Sequence, residues 1–298
     1  MSNAVPYEEL FRQLTEGLKT LPDKPEETAD STLRALWHAA AGAPKSAELA
    51  SVSDLPMLDR SGISVLRDMV ARRLDGVPMA HITGRQRFMG MEMIAGVEAL
   101  IPRKETELLA RTAIDLAAQL VMQQGIATVV DVCTGSGNIA LAVAHHVPGV
   151  RVFAADISEA AIDLARRNSV HLGLDGRVKF FVGDLLAPFD TPEFHGAVDV
   201  LTCNPPYINS AKVEHMPREI SGHEPSLAFD GGRFGVAILL RLLQEAPRFV
   251  CKGGRLASEV GLGQAAALAK MIGKNPAFVE VCTLLDDTGA ERGILARC

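Results

Sequence analysis

The first eighty residues carry their apolar side chains at helical spacing. Leu10, Leu14 and Leu18, with Phe11 beside them, form an i, i+4, i+8 stripe. Leu33, Leu36, Trp37 and Ala40 repeat it, and Ile63, Leu66, Val70 and Leu74 make a third stripe with Arg67 and Arg72 off its face. Pro22, Pro25, Pro44 and Pro56 punctuate the segment, and proline does not continue a helix. The pattern predicts a small helical domain over 1–80, of about four helices whose stripes form a core. Over 81–104 the period is lost. Gly84, Gly90 and Gly96 separate short apolar stretches, which fits a β-hairpin or an extended connector. Helical spacing returns at Leu108, Leu109, Ala113, Leu116 and Leu120.

From residue 128 the pattern alternates. Short apolar runs predict strands at 128–133, 150–156, 178–183, 198–203, 254–260, 278–285 and 291–297. Amphipathic stretches predict helices at 138–146, 158–168, 234–249 and 263–273. Such alternation implies parallel strands with helices on both faces. Only a short turn, Asp287-Thr288-Gly289, separates the last two runs, so they should pair antiparallel. The prediction is an α/β chain: a mostly parallel sheet with a C-terminal antiparallel strand over 105–298, preceded by the helical domain and the connector.

Composition narrows the function classes. The 298 residues include 48% hydrophobic and 22% charged ones and carry a net charge of −6. That balance suits a globular protein and argues against a large nucleic-acid footprint, which needs clustered Lys and Arg. No apolar run reaches the roughly 18 residues of a membrane span. The start, MSNAVPYEEL, lacks the basic-then-apolar pattern of a secretory signal, and Ser2-Asn3-Ala4 reads either as a cloning leader or as native chain. The cysteines are Cys133, Cys203, Cys251, Cys282 and Cys298, an odd set without C-x-x-C spacing. They read as buried, reduced thiols of a cytoplasmic protein, and no metal site is expected.

The candidate chemistry gathers at strand ends. The run VDVLTC at 198–203 ends in Asn204-Pro205-Pro206-Tyr207. Two prolines cannot donate ladder hydrogen bonds, so the strand must stop there on a stiff corner. Asn204 is then held beside backbone carbonyls that have no strand to pair with, an arrangement that suits a substrate carrying N–H groups. The first strand of the alternating region runs into Asp131-Val132-Cys133-Thr134-Gly135-Ser136-Gly137 and then a helix. Its glycines let a ligand approach the backbone closely. Asp156 ends the next strand about 20 residues on, the place of an acidic residue that binds ribose hydroxyls. Ser158 is the expected N-cap of the following helix, with Glu159 in its first turn. The third strand ends at Gly183-Asp184. Three strand ends thus meet at one carboxyl edge, where open parallel sheets bind ligands.

These pieces resemble a seven-stranded Rossmann-like S-adenosylmethionine-dependent methyltransferase, and within that class the HemK/PrmC family of protein N5-glutamine methyltransferases. The resemblance spans nearly the whole chain. It is carried by Arg72-Arg73, Gly76, Pro78-Met79-Ala80-His81-Ile82-Thr83-Gly84, Phe88-Met89-Gly90 and Ile101-Pro102-Arg103-Lys104-Glu105-Thr106-Glu107. It continues in DVCTGSGNIALA at 131–142, AADIS at 154–158, NPPYI at 204–208, His223-Glu224-Pro225 and Glu259-Val260-Gly261. The resemblance implies S-adenosyl-L-methionine as cofactor and S-adenosyl-L-homocysteine as product. Asp131, Cys133, Thr134, Gly135, Ser136 and Gly137 would form the cofactor loop, with Thr134, Gly135 and Gly137 along the methionine part. Asp156 would bind the ribose with Ile157 beside it, and Asp184 and Leu185 would flank the adenine. Asn204 would touch both cofactor and substrate amide, with Pro205, Pro206 and Tyr207 completing the catalytic clamp.

The implied partner is a protein, a peptide chain release factor with a glutamine in an exposed loop, docked by the helical domain of a monomeric enzyme. No membrane and no sequence-specific nucleic-acid partner are implied. Two positions depart from the family pattern: Cys133 stands where many relatives have glycine, and Lys104 where they have proline. His223 and Glu224 read as structural, because Pro225 follows and the reaction needs no strong base. Other readings of the same motifs are methylation of an exocyclic amine of nucleic acid, methylation of a small molecule of specialised metabolism, and a non-enzymatic binding protein.

Overall fold

The structure is a computed structural model describing residues 4–21 and 23–298. Ser2 and Asn3 of the leader reading, and Pro22 among the helix breakers, lie outside these residues. The helices are α1 (Ala4–Gly17), α2 (Ala29–Ala40), α3 (Ala47–Ser51), α4 (Arg60–Leu74), α5 (Met79–Thr83), α6 (Glu107–Gln124), α7 (Asn138–His146), α8 (Glu159–His171), α9 (Ser210–Val213), α10 (Arg218–Ser221), α11 (Ala237–Glu245) and α12 (Ala265–Ile272). The strands are β1 (Arg85–Phe88), β2 (Met91–Ile94), β3 (Ala127–Val132), β4 (Val150–Asp156), β5 (Val178–Val182), β6 (Val198–Cys203), β7 (Val250–Glu259), β8 (Glu280–Leu285) and β9 (Glu291–Arg297). The chain divides into two compact units. One runs to Val97 and also takes in Ile101–Lys104 and Pro217–Glu224; the other holds Glu98–Leu100, Glu105–Met216 and Pro225–Cys298.

In the first unit the three stripes close on a common core. Leu10 and Leu14 of α1, Leu33, Leu36 and Trp37 of α2, and Leu66 and Val70 of α4 are all buried there. Thr28, Ser46 and Asp59 cap α2, α3 and α4 by accepting from the backbone N–H of Ser31, Leu49 and Gly62. Four helices, α1 to α4, lie within the described residues of 1–80, and α5 straddles residue 80; α3 and α5 are single turns, too short to show a stripe. The connector forms a hairpin, with Phe88 opposite Met91. Its turn residues Met89 and Gly90 have φ of 49° and 80°, both positive as a type I′ turn requires.

A set of buried ion pairs ties distant segments into this unit. Glu219 of α10 binds Lys24 and Arg73, each at 2.9 Å, and Arg73 also binds Glu27 at 2.8 Å. Glu224 accepts from Arg103 at 2.5 Å and from the Ile101 N–H at 2.8 Å. Glu224 is thereby engaged within the fold, as its structural reading required. Lys104, one of the two departures, pairs with Glu48 at 3.3 Å on the surface, where such a bridge contributes little.

The second unit is built on one sheet of order β5-β4-β3-β6-β7-β9-β8. The β3–β4, β4–β5, β3–β6 and β6–β7 pairs are parallel, and β9 runs antiparallel to both β7 and β8. All six residues of β3 are buried, as for a strand covered on both faces. The chain winds outward from β3 through β4 to β5, then returns to place β6 on the other side of β3. That reversal opens a crevice at the carboxyl ends of β3 and β6, where doubly wound sheets bind ligands.

Several boundaries differ from the predicted ones. The helix expected over 234–249 begins at Ala237, because Gly235 takes a left-handed φ of 69° and lies against the Tyr207 carbonyl. It ends at Glu245, where Pro247 turns the chain into a short 3₁₀ segment. β7 begins at Val250, earlier than expected. The thiols correct another expectation. All five cysteines are free, but among them Cys203 alone is fully buried, and Cys282 is exposed. Cys282 lies on β8, an edge strand with one side left open. No helix among the described residues is long and apolar enough to cross a membrane.

Candidate active site

The turn after β3 is held by hydrogen bonds from three strand ends. Asp131, at the end of β3, is wholly buried. One of its oxygens accepts from the Thr134 hydroxyl at 2.6 Å and the other from the Thr202 hydroxyl at 2.7 Å. The Ala140 N–H in the first turn of α7 also points at it, where a helix favours negative charge. Burial pushes the Asp131 carboxyl up to about 6, against the pull of these donors. Asp131 therefore holds the turn from beneath. Asp156 ends β4 and accepts from the Gly135 N–H at 2.8 Å and the Ser158 N–H at 2.9 Å. Burial raises its pKa as well. Ser158 caps α8 through the Ala161 N–H.

The turn itself winds through left-handed backbone. Cys133, Gly135 and Gly137 have φ of 56°, 54° and 81°. A Cβ on Gly137 would lie 3.0 Å from the Ala165 Cβ, so glycine is required there on two counts. Cys133 takes the same left-handed region without being glycine, at a cost of about 1–2 kcal/mol. Its thiol neighbours Cys203, whose own pKa burial raises. The Ser136 hydroxyl is buried and has no hydrogen-bond partner among the described residues. Ile157, next to Asp156, is an exposed apolar side chain. Asp184 binds Arg241 at 2.7 Å, while Leu185 sits in the core with a left-handed φ of 48°. The cofactor-loop residues, Asp156 and Ile157 thus converge on one edge; Asp131 and Leu185 stand behind it, and the Asp184 carboxylate is turned to Arg241.

The corner after β6 adjoins this turn through the β3–β6 pairing of Val132 with Cys203. The Asn204 Nδ2 donates to the Thr106 hydroxyl at 3.2 Å. Among the described residues no backbone donor reaches the Pro205 carbonyl. Tyr207 donates its hydroxyl to Glu259 Oε1 at 3.0 Å. Its carbonyl accepts from Gln264 Nε2 at 3.1 Å, and Gln264 Oε1 accepts from the Gly261 N–H at 2.8 Å. The Ile208 N–H bonds the Phe229 carbonyl and the Gly231 N–H bonds the Ile208 carbonyl, so a glycine-rich turn braces the corner from behind. Burial pushes Glu259 up to about 7, opposed by the Thr106 and Tyr207 hydroxyls. Burial and the nearby Glu259 charge raise the Tyr207 phenol well above its ordinary value.

Three of these residues, Thr106, Glu259 and Gln264, were not among the sequence-derived site residues. Thr106 and Glu259 occur within the quoted motifs, yet nothing local aims them at Asn204 and Tyr207. Gln264 lay outside the motifs altogether.

A seven-stranded sheet with β9 reversed between β7 and β8, carrying a glycine turn, an acidic strand end and an Asn-Pro-Pro-Tyr corner, defines a methyltransferase of the Rossmann-like class. The family model of the methyltransferase small domain matches residues 103–223. A release factor glutamine methyltransferase of Moorella thermoacetica is 36% identical over 227 residues, which is 76% of this chain and 77% of that one. One of Bradyrhizobium diazoefficiens is 33% identical over 272 residues, 91% of this chain and 89% of that one. Among solved structures, the hMettl16 catalytic domain bound to a MAT2A 3'UTR hairpin shares the fold, with a TM-score of 0.56 at 16% identity over 77% of this chain and 80% of that one. The chain belongs to the family of release factor glutamine methyltransferases.

Proposed function

We propose that the chain transfers a methyl group from S-adenosyl-L-methionine to the side-chain amide nitrogen of a glutamine in a peptide chain release factor, leaving S-adenosyl-L-homocysteine. The observation that carries this reading is the corner at Asn204. Its Nδ2 is engaged by Thr106, which leaves Oδ1 to accept, beside a Pro205 carbonyl that has no donor among the described residues. Two acceptors on a stiff turn match the two N–H bonds of a primary carboxamide.

The residues at the strand ends fit the cofactor. The side-chain-free Gly135 and Gly137 keep the turn open to close approach. The unpartnered Ser136 hydroxyl is a buried polar group awaiting one. Each Asp156 oxygen accepts one backbone bond and has a further lone pair for a ribose hydroxyl. Cys133, Thr134, Gly135, Ser136 and Gly137 would hold the methionine part and Asp156 the ribose, and the adenine would lie against Ile157 and the backbone at Asp184 and Leu185. When bound, the cofactor supplies an electrophilic methyl on a sulfonium.

An amide nitrogen is a poor nucleophile because its lone pair is delocalised into the carbonyl. General base catalysis typically contributes 10²–10⁴-fold, and no side chain near pH 7 deprotonates a neutral amide. Orientation is worth roughly 7–11 kcal/mol and dominates here. Asn204 Oδ1 and the Pro205 carbonyl grip the two N–H bonds and turn the nitrogen's face toward the methyl. Positive charge developing on nitrogen is met by those acceptors and by the Tyr207 ring, an attraction of the cation–π kind. Transfer forms one C–N bond, breaks one S–C bond and leaves a nitrogen that releases one proton to solvent.

The helical unit is assigned the docking of the protein partner, since the residues that would do the chemistry lie in the other unit. The free thiols suit work in a reducing cytoplasm. Incubation with labelled S-adenosyl-L-methionine and purified release factor, followed by mass spectrometry of the glutamine-bearing peptide, tests the assignment. A methyl on that glutamine is the expected result; label on an adenine-containing oligonucleotide instead would overturn it.

A further inference from the structure

We infer that Gln264 is a positioning residue that aims the Tyr207 ring at the reacting nitrogen, by joining three loops at one side-chain amide. The inference rests on the reading that Tyr207 faces the substrate amide, and it names the residue that holds it there.

Gln264 stands at the N-cap of α12, yet its side chain makes no bond to that helix's first turn. The amide reaches outward instead. Oε1 accepts from the Gly261 N–H at 2.8 Å, which ties it to the turn after β7. Nε2 donates to the Tyr207 carbonyl at 3.1 Å, in the corner after β6. It also lies 3.4 Å from the carbonyls of Phe234 and Gly235, in the glycine-rich turn before α11. These partners fix which way the amide points. A backbone N–H only donates and a carbonyl only accepts, so a flipped amide would lose every one of these bonds.

The space at the junction is shaped to admit that amide. A Cβ on Gly235 would lie 2.2 Å from the Tyr207 carbonyl oxygen and 2.9 Å from Gln264 Nε2. A Cβ on Gly261 would lie 3.0 Å from Gln264 Oε1 and 3.2 Å from Cδ2 of the Tyr207 ring. Any side chain at 235 would displace the junction, and one at 261 would crowd it. Tyr207 is thereby held at both ends: its hydroxyl by Glu259 at 3.0 Å and its carbonyl by Gln264. The hydroxyl bond alone fixes the tip of the ring and leaves the backbone behind it free to shift. With the carbonyl also fixed, the ring has one tilt. A ring that meets charge developing on nitrogen acts in the transition state, so losing its aim should lower kcat and leave KM nearly as it was.

The test uses the full chain and compares wild type with Q264E and Q264A, each also in a Y207A background. Q264E keeps the size of the side chain and an acceptor for the Gly261 N–H, but its second oxygen cannot donate to the three carbonyls. Methyl-transfer kinetics on release factor are set beside the affinity for S-adenosyl-L-homocysteine. Q264E and Q264A are expected to lower kcat by about ten- to a hundredfold, the scale of a small misplacement in an active site. KM and the affinity for S-adenosyl-L-homocysteine should stay within about threefold. In the Y207A background the same substitutions should cost less than about twofold, because no ring is left to aim. A second readout needs no turnover. The chain has two tyrosines, Tyr7 and Tyr207, and Tyr7 stacks on Phe11 in α1. In spectra of ring-labelled protein the Tyr207 resonances should shift or broaden in Q264E and Q264A while those of Tyr7 stay still. Wild-type kcat in Q264E would overturn the inference, as would its full penalty persisting in Y207A or Tyr207 resonances left unchanged. Loss of the folded state in both variants would make Gln264 a support of the fold and overturn it too. Wild-type protein that leaves the release factor unmethylated would instead overturn the underlying function, while the tyrosine spectra would still decide whether Gln264 holds the ring.

Discussion

At position 204 the two atoms of one amide are engaged differently. Nδ2 is tied to Thr106, and the proposed function gives Oδ1 the part of acceptor for the substrate amide. Asn204→Ala removes the acceptor while leaving the glycine turn, Asp131 and Asp156 as they are. Turnover on the glutamine substrate should therefore fall by roughly 10²–10³, as when one oriented polar group is lost from an active site. The dissociation constant for S-adenosyl-L-methionine should change by less than about tenfold. Kinetics and cofactor titration on the same preparation check this, and equal losses in both would refute the division of roles. Glu259 makes a second prediction, about stability. Its pKa rises from 4.5 to about 7 on folding, so the folded state holds this proton more tightly than the unfolded one. The stabilisation is present in full below the unfolded value and is lost as pH rises through about 7. The loss is about 3 kcal/mol from this group alone. Urea unfolding at several pH values should show wild type losing stability over that window and E259Q losing less of it. The sequence disclosed Asn204 and its prolines because the motif is local. It could not disclose that Asn204 meets a hydroxyl 98 positions away, or that Tyr207 meets a carboxylate 52 positions away. Those partners are set by strand order.

Among the elements, the glycine turn after β3 shows how a short segment is held by its surroundings. Thr134 donates its hydroxyl to Asp131, its N–H bonds the Ala155 carbonyl, and Asn168 of α8 donates to the Ser136 carbonyl. Gly137→Ala disturbs this in two ways. Alanine is strained at a φ of 81°, and its Cβ would press on Ala165 and on Leu141, at 3.0 and 3.2 Å. The expected cost is about 1–3 kcal/mol, read as a lower urea midpoint, together with weaker cofactor binding by calorimetry. An unchanged midpoint would mean that the turn relaxes freely. Element types and their succession were legible because period-2 and period-3.6 patterns follow from burial on one face or both. The antiparallel pairing of β8 with β9 was legible in the short Asp287–Gly289 turn. The insertion of β9 between β7 and β8 was not, since periodicity says nothing of which neighbour a strand will choose. The late start of α11 was equally hidden. It depends on Gly235 lying against the Tyr207 carbonyl, a contact made by the tertiary fold.

For the molecule as a whole, the path of the chain matters more than the motifs. The backbone passes between the two units five times, at Val97–Glu98, Leu100–Ile101, Lys104–Glu105, Met216–Pro217 and Glu224–Pro225. The segment Pro217–Glu224 comes from far along the chain, in the range assigned by pattern to the catalytic domain, yet it belongs to the helical unit. Its Glu219 carboxylate is buried between Lys24 and Arg73, and Arg73 is also held by Glu27. Removing one member of a buried ionic set leaves an uncompensated charge, at a cost of about 3–5 kcal/mol. Glu219→Ala leaves Lys24 without its carboxylate and Arg73 with Glu27 alone, so its urea midpoint should fall accordingly, and limited proteolysis should cut first within 217–224. A fragment starting at Glu98 goes further. It keeps β3 to β9 and the residues that would do the chemistry, but it lacks Lys24, Glu27 and Arg73, and Glu219 is left without the cations that neutralise it. That fragment should give a broad, low-temperature transition in circular dichroism where the full chain gives a sharp one. A Glu219→Ala chain that unfolds at the wild-type midpoint, or a fragment that melts as sharply as the full chain, would mean that the segment is held by something other than these charges.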